Sequence, residues 1–364
     1  MSIEKLMSTI NKSLGDNTIG FSINTGPVIK TYSSGSLTMD MALGGGVGNG
    51  RIVEYFGNSM AGKTTLTFLH IAEVQSRDEG YVAFIDMEHA MNKELAAEYG
   101  VDLDKLIYVN PKTAENAVDI CDSLIRSGEV RLIVVDSVSA MVPTKIVESS
   151  AEQQTMGLLA RFMSTTMQKL TGIAYENECT VAFINQIREK IGGFSPAGTP
   201  TTTSGGRALP FYASQRIQVK MGEYIKQGND IIGHLVKIKV VKNKLAIPFK
   251  EASFPLIYGK GVDRIDEIAQ VAVLAGFVVK AGAWCRIIDP ETGEIRVHDG
   301  KELKFNGQAA LVAYLHATPE IAAELEARIR GVEVELPDGE RVDEDGYGDE
   351  TVTEIPVTEL PAAA

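Results

Sequence analysis

The stretch GNSMAGKT, residues 57–64, stands between an apolar segment, RIVEYF (51–56), and a segment of helical character, LTFLHIAEVQSR (66–77). It fits G-x-x-x-x-G-K-[ST], the glycine-rich loop that joins a strand to a helix and binds phosphate. Glycine lets the backbone turn so that N–H groups face phosphate oxygens, and the helix N-terminus adds partial positive charge. The stretch therefore predicts a nucleotide site formed by Gly57, Asn58, Ser59, Met60, Ala61, Gly62, Lys63, Thr64 and Thr65.

Two residues of this loop and one distant carboxylate have expected roles. Lys63 is expected to reach the β- and γ-phosphates of the nucleotide, and the Thr64 hydroxyl to bind Mg²⁺. The apolar segment RLIVVD (131–136) ends in Asp136, at the carboxyl end of a buried strand, where open α/β sheets bind their ligands. Asp136 is therefore expected to hold the same Mg²⁺ through water.

A further carboxylate is needed to activate the attacking water. The segment FIDMEHA offers Glu88, two residues beyond the expected end of a strand at Asp86. Glu88 is the favoured base because it stands clear of the strand in the loop that faces ligand. Asp86 remains the alternative, either as the base or as a supporting group.

Short apolar runs alternate with helical patterns on both sides of the loop. Further strands are expected at YVAFID (81–86), LIYVN (106–110), RLIVVD (131–136) and TVAFIN (180–185). Further helices are expected at 92–100, 114–128 and 155–175. This alternation is typical of right-handed βαβ units and predicts an α/β fold with a mostly parallel central sheet.

The flanking regions differ from this core. Residues 3–14 form an amphipathic pattern that is too short to be a stable helix alone and must dock on another surface. Residues 16–50 are rich in Gly, Ser, Thr and Asn and are expected to be loop. Residues 213–260 alternate apolar and polar, which predicts antiparallel strands. Residues 261–330 predict a smaller α/β unit whose last helix ends at Gly331.

Membrane and disulfide classes are not favoured. No apolar run reaches the ~20 residues of a membrane-spanning helix, and the first residues lack the apolar centre of a signal peptide. Cys121, Cys179 and Cys285 are far apart without C-x-x-C spacing, so each is expected to pack as a small buried residue. A cytoplasmic protein without membrane contact is therefore expected.

The net charge of −13 argues against a nucleic-acid partner only when it is taken over the whole chain. Residues 331–364 hold eleven acidic residues and one arginine, a net charge of −10, which leaves −3 for residues 1–330. The acidic end, with scattered Gly and Pro, is expected to be a disordered tail. The charge of the remaining chain does not exclude DNA binding.

Motifs along the chain resemble, in order, those of the bacterial RecA recombinase family. They are SSGSLTMDMALGGG (33–46), FIDMEHA, VVDSVSAM, MGLLARFMS, FINQIREKIG, TTTSGGRALPFYAS, IKVVKNK and KAGAW. The resemblance covers roughly residues 3–330. It implies an N-terminal helix and linker (1–30), a RecA-type P-loop ATPase core (31–260), a C-terminal domain (261–330) and an acidic tail (331–364).

This resemblance implies an ATP- and Mg²⁺-dependent recombinase of DNA repair and the SOS response. Such a protein polymerises head to tail on single-stranded DNA, a contact that does not close and so makes a helical filament. It then pairs that strand with double-stranded DNA and exchanges strands. Single-strand-binding and mediator proteins are further expected partners, and the N-terminal helix is expected to dock on the adjacent protomer.

The resemblance also implies roles for particular residues. Glu88 is similar to the base that activates water, and Gln186, which ends FINQ, to the γ-phosphate sensor. Phe211 is similar to the residue that relays nucleotide state between subunits. Lys242 and Lys244, in KNK, are similar to the pair that reaches the neighbouring subunit's ATP. From spacing alone, these lysines would be edge-strand residues that prevent aggregation.

Two DNA-binding loops are implied at about 149–157 and 187–205. Their N–H groups and cations can hold a phosphate chain without reading bases, and an apolar side chain can insert between bases. From composition alone, 192–206 would be a flexible linker. The residues assigned to DNA by the resemblance are Met156, Gly157, Arg161, Arg188, Lys190, Ile191, Gly205, Gly206 and Arg207.

Several positions depart from the family pattern. The loop has Asn-Ser-Met-Ala between its two glycines, where Pro-Glu-Ser-Ser is usual. Leu95 stands where a tyrosine usually stacks on adenine, and Asn92, expected to contact the nucleotide, stands where an aspartate is usual. Gln308 replaces a lysine that helps bring in duplex DNA. The second DNA loop is also about two residues longer than usual. These differences indicate a divergent member, of the kind that phages or other mobile elements carry, and leave nucleotide preference open.

Two other classes share the phosphate loop. A ring helicase with a RecA-like core would form closed hexamers and use an arginine finger. A small-molecule kinase would hydrolyse ATP without regard to DNA and would need an acceptor pocket, for which the sequence has no second motif.

Removing the acidic tail is expected to tighten duplex binding, because the −10 segment then no longer competes with DNA phosphates for basic loops. Fluorescence anisotropy with a labelled duplex, over a salt series, compares the full chain with one that ends at Gly331. A full-length chain with the tail carboxylates changed to amides serves as the length control. Unchanged duplex affinity in both would leave the tail with a solubilising role only.

Overall fold

The computed structural model describes residues 2–14, 30–77, 79–147, 157–189 and 201–331. The helices are α1 (Ile3–Leu14), α2 (Leu37–Leu43), α3 (Lys63–Ser76), α4 (Lys93–Glu98), α5 (Ala114–Arg126), α6 (Thr144–Val147), α7 (Leu158–Glu176), α8 (Ala208–Tyr212), α9 (Arg264–Leu274), α10 (Gln308–Ala317) and α11 (Pro319–Arg330). The strands are β1 (Thr31–Tyr32), β2 (Val47–Gly48), β3 (Ile52–Gly57), β4 (Tyr81–Asp86), β5 (Leu106–Val109), β6 (Val130–Asp136), β7 (Thr180–Glu189), β8 (Thr201–Thr203), β9 (Gln215–Gln227), β10 (Asp230–Asn243), β11 (Glu251–Ile257), β12 (Val278–Ala281), β13 (Trp284–Ile287), β14 (Val297–His298), β15 (Lys301–Glu302) and β16 (Lys304–Asn306).

One large sheet organises the core. Its strands run in the order β11–β10–β9–β3–β7–β6–β4–β5, and β8 pairs with β7. Each neighbouring pair of strands from β9 to β5 in this order is parallel. The pairs β9–β10, β10–β11 and β7–β8 are antiparallel. The prediction of an α/β fold with a mostly parallel sheet, followed by antiparallel strands, is confirmed.

Both faces of this sheet are covered by helices. On β4, Val82 and Phe84 join the core that includes α3, whereas Ala83 and Ile85 join the core that includes α5 and α7. Side chains alternate along a strand, so an apolar run such as β4 needs apolar packing on both sides. The central strands thus lie in the middle layer of a three-layer arrangement.

A third apolar core joins α9, α10 and α11 with β12 and β13, and includes Leu37 of α2. Polar contacts reinforce this junction. The buried Glu267 of α9 accepts hydrogen bonds from the Ser36 hydroxyl (2.6 Å) and the Leu37 N–H (2.8 Å), which caps the N-terminus of α2. Burial raises the pKa of Glu267 to about 7.

An ion pair with a buried carboxylate links the same two regions. Arg330 of α11 donates to Asp40 of α2 at 3.0 Å and to Glu326 at 2.8 Å. Asp40 is fully buried and also accepts hydrogen bonds from Ser33 and Ser34. Burial raises the pKa of Asp40, against the effect of the Arg330 guanidinium and the hydrogen bonds from Ser33 and Ser34.

The chain divides into two units, Met1–Lys30 and Thr31–Ala364. In the first unit, α1 has the bounds that its amphipathic pattern predicts, and Ile3 and Leu6 are largely exposed. In the second, Cys121, Cys179 and Cys285 are free and buried, as predicted. None of the helices in the described ranges combines the length and the apolar character that crossing a membrane requires.

Two expectations about irregular segments are wrong in part. Residues 37–43, within the expected loop 16–50, form α2, because the Ser36 side chain caps its first turn and Gly44 (φ 78°) ends it. The expected DNA loop 187–205 is ordered at both ends, where β7 pairs with the threonine-rich β8. The rest of that loop (190–200), most of the other loop (149–156) and the tail beyond Gly331 lie outside the described residues.

Arg330→Ala is expected to lower the free energy of unfolding by ~2 kcal/mol, because Asp40 stays buried without its cation. Urea denaturation monitored by circular dichroism measures the change. The control is Arg328→Ala on the same helix, whose pair with the partly exposed Glu324 (2.9 Å) contributes no more than ~0.5 kcal/mol. Equal effects of the two substitutions would contradict a special role for the pair with the buried Asp40 carboxylate.

Candidate functional site

The carboxyl ends of four parallel strands meet at one edge of the sheet. In the strand registers, Gly57 of β3 lies opposite Gln186 of β7, and Asp86 of β4 lies opposite Asp136 of β6. Parallel pairing therefore brings together residues that are up to 129 positions apart in sequence. This is the edge where open α/β sheets bind ligands.

The predicted phosphate loop has the backbone of a phosphate cradle. Gly62 adopts φ 92° and precedes α3, whose N-terminus has no side-chain cap, so its first N–H groups remain for a ligand. Helix α3 begins at Lys63, three residues earlier than predicted. Lys63 Nζ donates to the carbonyls of Gly57 (3.2 Å) and Asn58 (2.5 Å), and burial lowers the pKa of Lys63.

The outer part of the loop faces solvent. Met60 at its tip is 85% exposed with φ 62°, a backbone conformation that non-glycine residues adopt rarely. Asn58 and Ser59 are exposed as well, whereas Ala61 is buried. Thr65, in the first turn of α3, is partly exposed. The open side of the loop is therefore lined by its polar backbone and Asn58 and Ser59.

The residues expected to hold Mg²⁺ are adjacent. The Thr64 hydroxyl donates to Asp136 Oδ2 at 2.7 Å. Burial, followed by the nearby carboxylates Glu88 and Asp86, raises the pKa of Asp136 to about 6, against the Thr64 hydrogen bond and Lys63. A hydroxyl and a buried carboxylate are hard oxygen donors, and a divalent cation would relieve the crowding of three carboxylates. The residues present therefore fit Mg²⁺.

Glu88 and Gln186 are in direct contact. Gln186 Nε2 donates to Glu88 Oε1 at 3.1 Å, and the Ser137 hydroxyl donates to the same oxygen. The backbone N–H of Glu88 donates to the Asp136 carbonyl at 3.3 Å, which holds the exposed carboxylate beside the Mg²⁺ residues. Gln186 lies on β7 and Glu88 lies in the loop after β4, and the two residues are 98 positions apart.

Asp86, the alternative base, has a different environment. Its buried carboxylate accepts hydrogen bonds from the N–H groups of Ala90 (3.3 Å) and Met91 (3.0 Å) and from the Tyr108 hydroxyl (3.1 Å). These contacts hold the loop that carries Glu88. The geometry therefore favours Glu88 as the group open to a water molecule, with Asp86 supporting it.

A buried polar network behind this edge was not predicted from the sequence. Asn185 Nδ2 donates to Glu54 Oε1 (2.9 Å) and to the carbonyl of Ser204 (3.0 Å), and Arg216 Nε donates to Glu54 Oε2 (2.5 Å). Glu54 is fully buried in β3. A charged residue inside the apolar run RIVEYF was the available signal, because a buried charge needs a partner.

Phe211 and Lys242 are also adjacent. Lys242 Nζ donates to the carbonyls of Pro210 (2.8 Å) and Phe211 (2.7 Å) at the end of α8. Burial, then the nearby cations Lys244 and Arg216, lower the pKa of Lys242 to about 8. The Phe211 side chain is 72% exposed and Lys244 is exposed, so both are available to a neighbouring molecule.

The ends of the two expected DNA loops meet beside α7. A β-carbon on Gly206 would lie 2.7 Å from Ala160 Cβ, and one on Gly205 would lie 3.0 Å from Met163. Arg161 and Arg207 are exposed at this junction, and Gly157 precedes α7. The backbone of Arg188 lies in β7, opposite Thr202. Met156, Lys190 and Ile191 lie outside the described residues.

Asn92, expected to contact the nucleotide, makes a local contact in the structure. Its side chain accepts a hydrogen bond from the Leu95 N–H at 2.9 Å and caps α4. Leu95 packs partly buried against the core that includes α3. The structure thus gives Asn92 a capping contact.

Comparison with known proteins agrees with these observations. The family model described as RecA N-terminal domain matches residues 1–263. "Protein RecA" of Acinetobacter baylyi is 44% identical over 330 residues, 90% of each chain. "Protein RecA" of Cereibacter sphaeroides is 41% identical over 354 residues, 96% of this chain and 98% of the relative. The chain therefore belongs to the bacterial RecA family, the ATP- and DNA-binding recombinases of recombination and repair.

Proposed function

We propose that this protein is an ATP-dependent homologous recombinase that forms a head-to-tail helical filament on single-stranded DNA. The filament compares the bound strand with double-stranded DNA and exchanges strands where the sequences match. ATP binding at the phosphate loop favours the DNA-bound filament, and Mg²⁺-dependent hydrolysis releases it. Single-strand-binding and mediator proteins are the accessory partners that we expect, and the cytoplasm is the expected compartment.

The contact between Gln186 and Glu88 carries this proposal. Gln186 lies near the end of β7, and β7 continues into the hairpin that borders the second DNA segment. Any change at the Glu88 carboxylate, where the γ-phosphate would leave, reaches this hairpin through one hydrogen bond. An enzyme that only transfers phosphate to a small molecule would not need this connection.

We assign the hydrolysis to groups at the carboxyl edge of the sheet. Loop N–H groups and Lys63 bind the phosphates, and Lys63 exchanges its contacts with Gly57 and Asn58 for phosphate oxygens. Glu88 orients the attacking water and takes its proton. Mg²⁺, held by Thr64 and Asp136, would neutralise charge on the phosphates.

Neighbouring subunits complete the site in this proposal. Lys242 and Lys244 reach the nucleotide of the adjacent protomer and stabilise negative charge there. Lys242 would then give up the carbonyls of Pro210 and Phe211 that it holds in the single chain. Phe211 would transmit this change of hydrogen-bond partners to the neighbouring subunit, because its exposed side chain lies at the same helix end.

DNA contact is proposed for the junction of the two loops. Gly157, Arg161, Gly205, Gly206 and Arg207 hold the phosphate chain there, with Arg188 on β7. Met156, Lys190 and Ile191 extend this contact, and the two apolar residues separate bases. The unit 261–330 is proposed as a separate domain that receives duplex DNA, and residues 1–30 as the segment that docks on the next protomer.

Lys63→Ala is expected to abolish ATP binding, and with it DNA-stimulated hydrolysis and strand exchange. ATPase assays with and without single-stranded DNA, and electron microscopy with a non-hydrolysable ATP analogue, measure these losses. Lys93→Ala, at an exposed position of α4, is the control and should form helical filaments as the unaltered protein does. Intact strand exchange in Lys63→Ala, or closed hexameric rings in the unaltered protein, would refute the proposal.

Glu88→Gln is expected to lower the ATPase kcat by about 10²–10⁴-fold, because glutamine can orient water but cannot take its proton. Filaments should still form and last longer, since nucleotide and DNA binding are kept. Stopped-flow phosphate release and light scattering measure the two effects. Glu94→Gln, at an exposed position of α4, is the matched control. Hydrolysis that is unchanged in Glu88→Gln would move the role of base to Asp86.

A further inference from the structure

His234 is a buried histidine that lies beneath the phosphate loop. The proposed hydrolysis does not use its imidazole. It lies on β10 and is 3% exposed. Its Nδ1 is 3.1 Å from the Tyr258 hydroxyl oxygen, and the two rings are 5.6 Å apart between centroids. Its Nε2 is also buried and makes no hydrogen bond with any residue that the structure describes. A polar nitrogen without a partner in such a place needs an explanation.

The unpartnered nitrogen lies close to the loop that binds phosphate. A β-carbon built on Gly62 would lie 3.7 Å from His234 Nε2 and 3.2 Å from Leu256 Cδ2, so this face of Gly62 rests on β10 and β11. Burial lowers the pKa of His234, and the Ala61 backbone acts in the opposite direction. The Ala61 backbone therefore lies close enough to the imidazole to affect its protonation, although no hydrogen bond joins it to Nε2 in the single chain.

The peptide that joins Ala61 to Gly62 connects this imidazole to the ligand side. In a planar trans peptide the carbonyl and the following N–H point in opposite directions. A donor that attracts the Ala61 carbonyl from below therefore turns the Gly62 N–H toward the opposite, open side of the loop. A hydrogen bond at the carbonyl also polarises the peptide and strengthens its N–H as a donor.

We propose that His234 is a positioning residue of the nucleotide site: when nucleotide is bound, its Nε2–H donates to the Ala61 carbonyl, and the Gly62 N–H then faces the nucleotide phosphates. The Tyr258 hydroxyl donates to Nδ1 and so keeps the proton on Nε2, the nitrogen nearest the loop. This inference rests on the proposed function, in which the loop binds ATP. It adds a residue on a different strand to the loop's own sequence motif.

The test is equilibrium binding of the fluorescent nucleotide mant-ADP to the full chain, with ATPase KM and kcat measured in parallel. His234→Ala should weaken mant-ADP binding and raise KM about tenfold, the effect of one misaligned hydrogen bond. The kcat should change less than about twofold, because the loop binds the ground state and transition state alike. His316→Ala, at an exposed position of α10, is the control.

Two amide variants separate positioning from packing. Glutamine can place its amide nitrogen where Nε2 lies, whereas asparagine reaches only the position of Nδ1. His234→Gln should therefore bind mant-ADP within about threefold of the unaltered protein, and His234→Asn should resemble His234→Ala. Tyr258→Phe should weaken binding less than His234→Ala, and the double variant should be no worse than His234→Ala alone.

The outcomes distinguish this inference from the proposed function. If the unaltered protein does not bind mant-ADP, the proposed ATP site is wrong. If the unaltered protein binds mant-ADP, and the alanine, asparagine and glutamine variants at His234 bind it as tightly as the unaltered protein does, the positioning role is wrong. A lower urea midpoint with unchanged nucleotide affinity also overturns it, since His234 would then act only in packing.

Discussion

Parallel pairing between β3 and β7 and between β4 and β6 is the constraint on which the candidate site depends. The register of these two ladders sets Gly57 beside Gln186 and Asp86 beside Asp136. A shift of one residue would turn every side chain of a strand to the opposite face and bury the wrong groups. Such a shift is opposed because it would separate the buried Glu54 of β3 from Asn185 and Arg216. The same backbone hydrogen bonds that build the core therefore set the distances in the site.

Polar groups behind the edge connect this site to the segments proposed to hold DNA. Asn185 precedes Gln186 and donates to both Glu54 and the Ser204 carbonyl, so it ties β3 to the chain that follows β8. In a low-dielectric interior each of these groups needs its partner, and a displaced member would cost free energy at the others. A displacement of Gln186 is therefore expected to displace Asn185 and, through it, Glu54 and the chain that follows β8. This is the physical basis for the proposed coupling between nucleotide and DNA.

Charge in this protein acts over short distances. The acidic tail accounts for most of the net charge, while the junction of the two loop ends exposes Arg161 and Arg207. Electrostatic interactions between exposed charges are largely screened beyond ~8–10 Å at physiological salt. Local cations can therefore meet a phosphate chain although the whole chain is acidic. Whole-chain charge is accordingly a poor guide to binding here.

Local sequence was sufficient wherever a pattern repeats or a motif is contiguous. Short apolar runs separated by helical patterns predicted the parallel strands, the phosphate loop was evident in eight residues, and chain order indicated which residues end strands. It failed at α2, where composition concealed a Ser36 cap, and at the β7–β8 pairing, where threonine strands lie within a loop-like segment. Strand order alone decided that Glu88 meets Gln186, that Lys242 holds the end of α8, and that His234 lies beneath Gly62. These contacts join residues that are distant in sequence, and only the packing of the whole sheet brings them together.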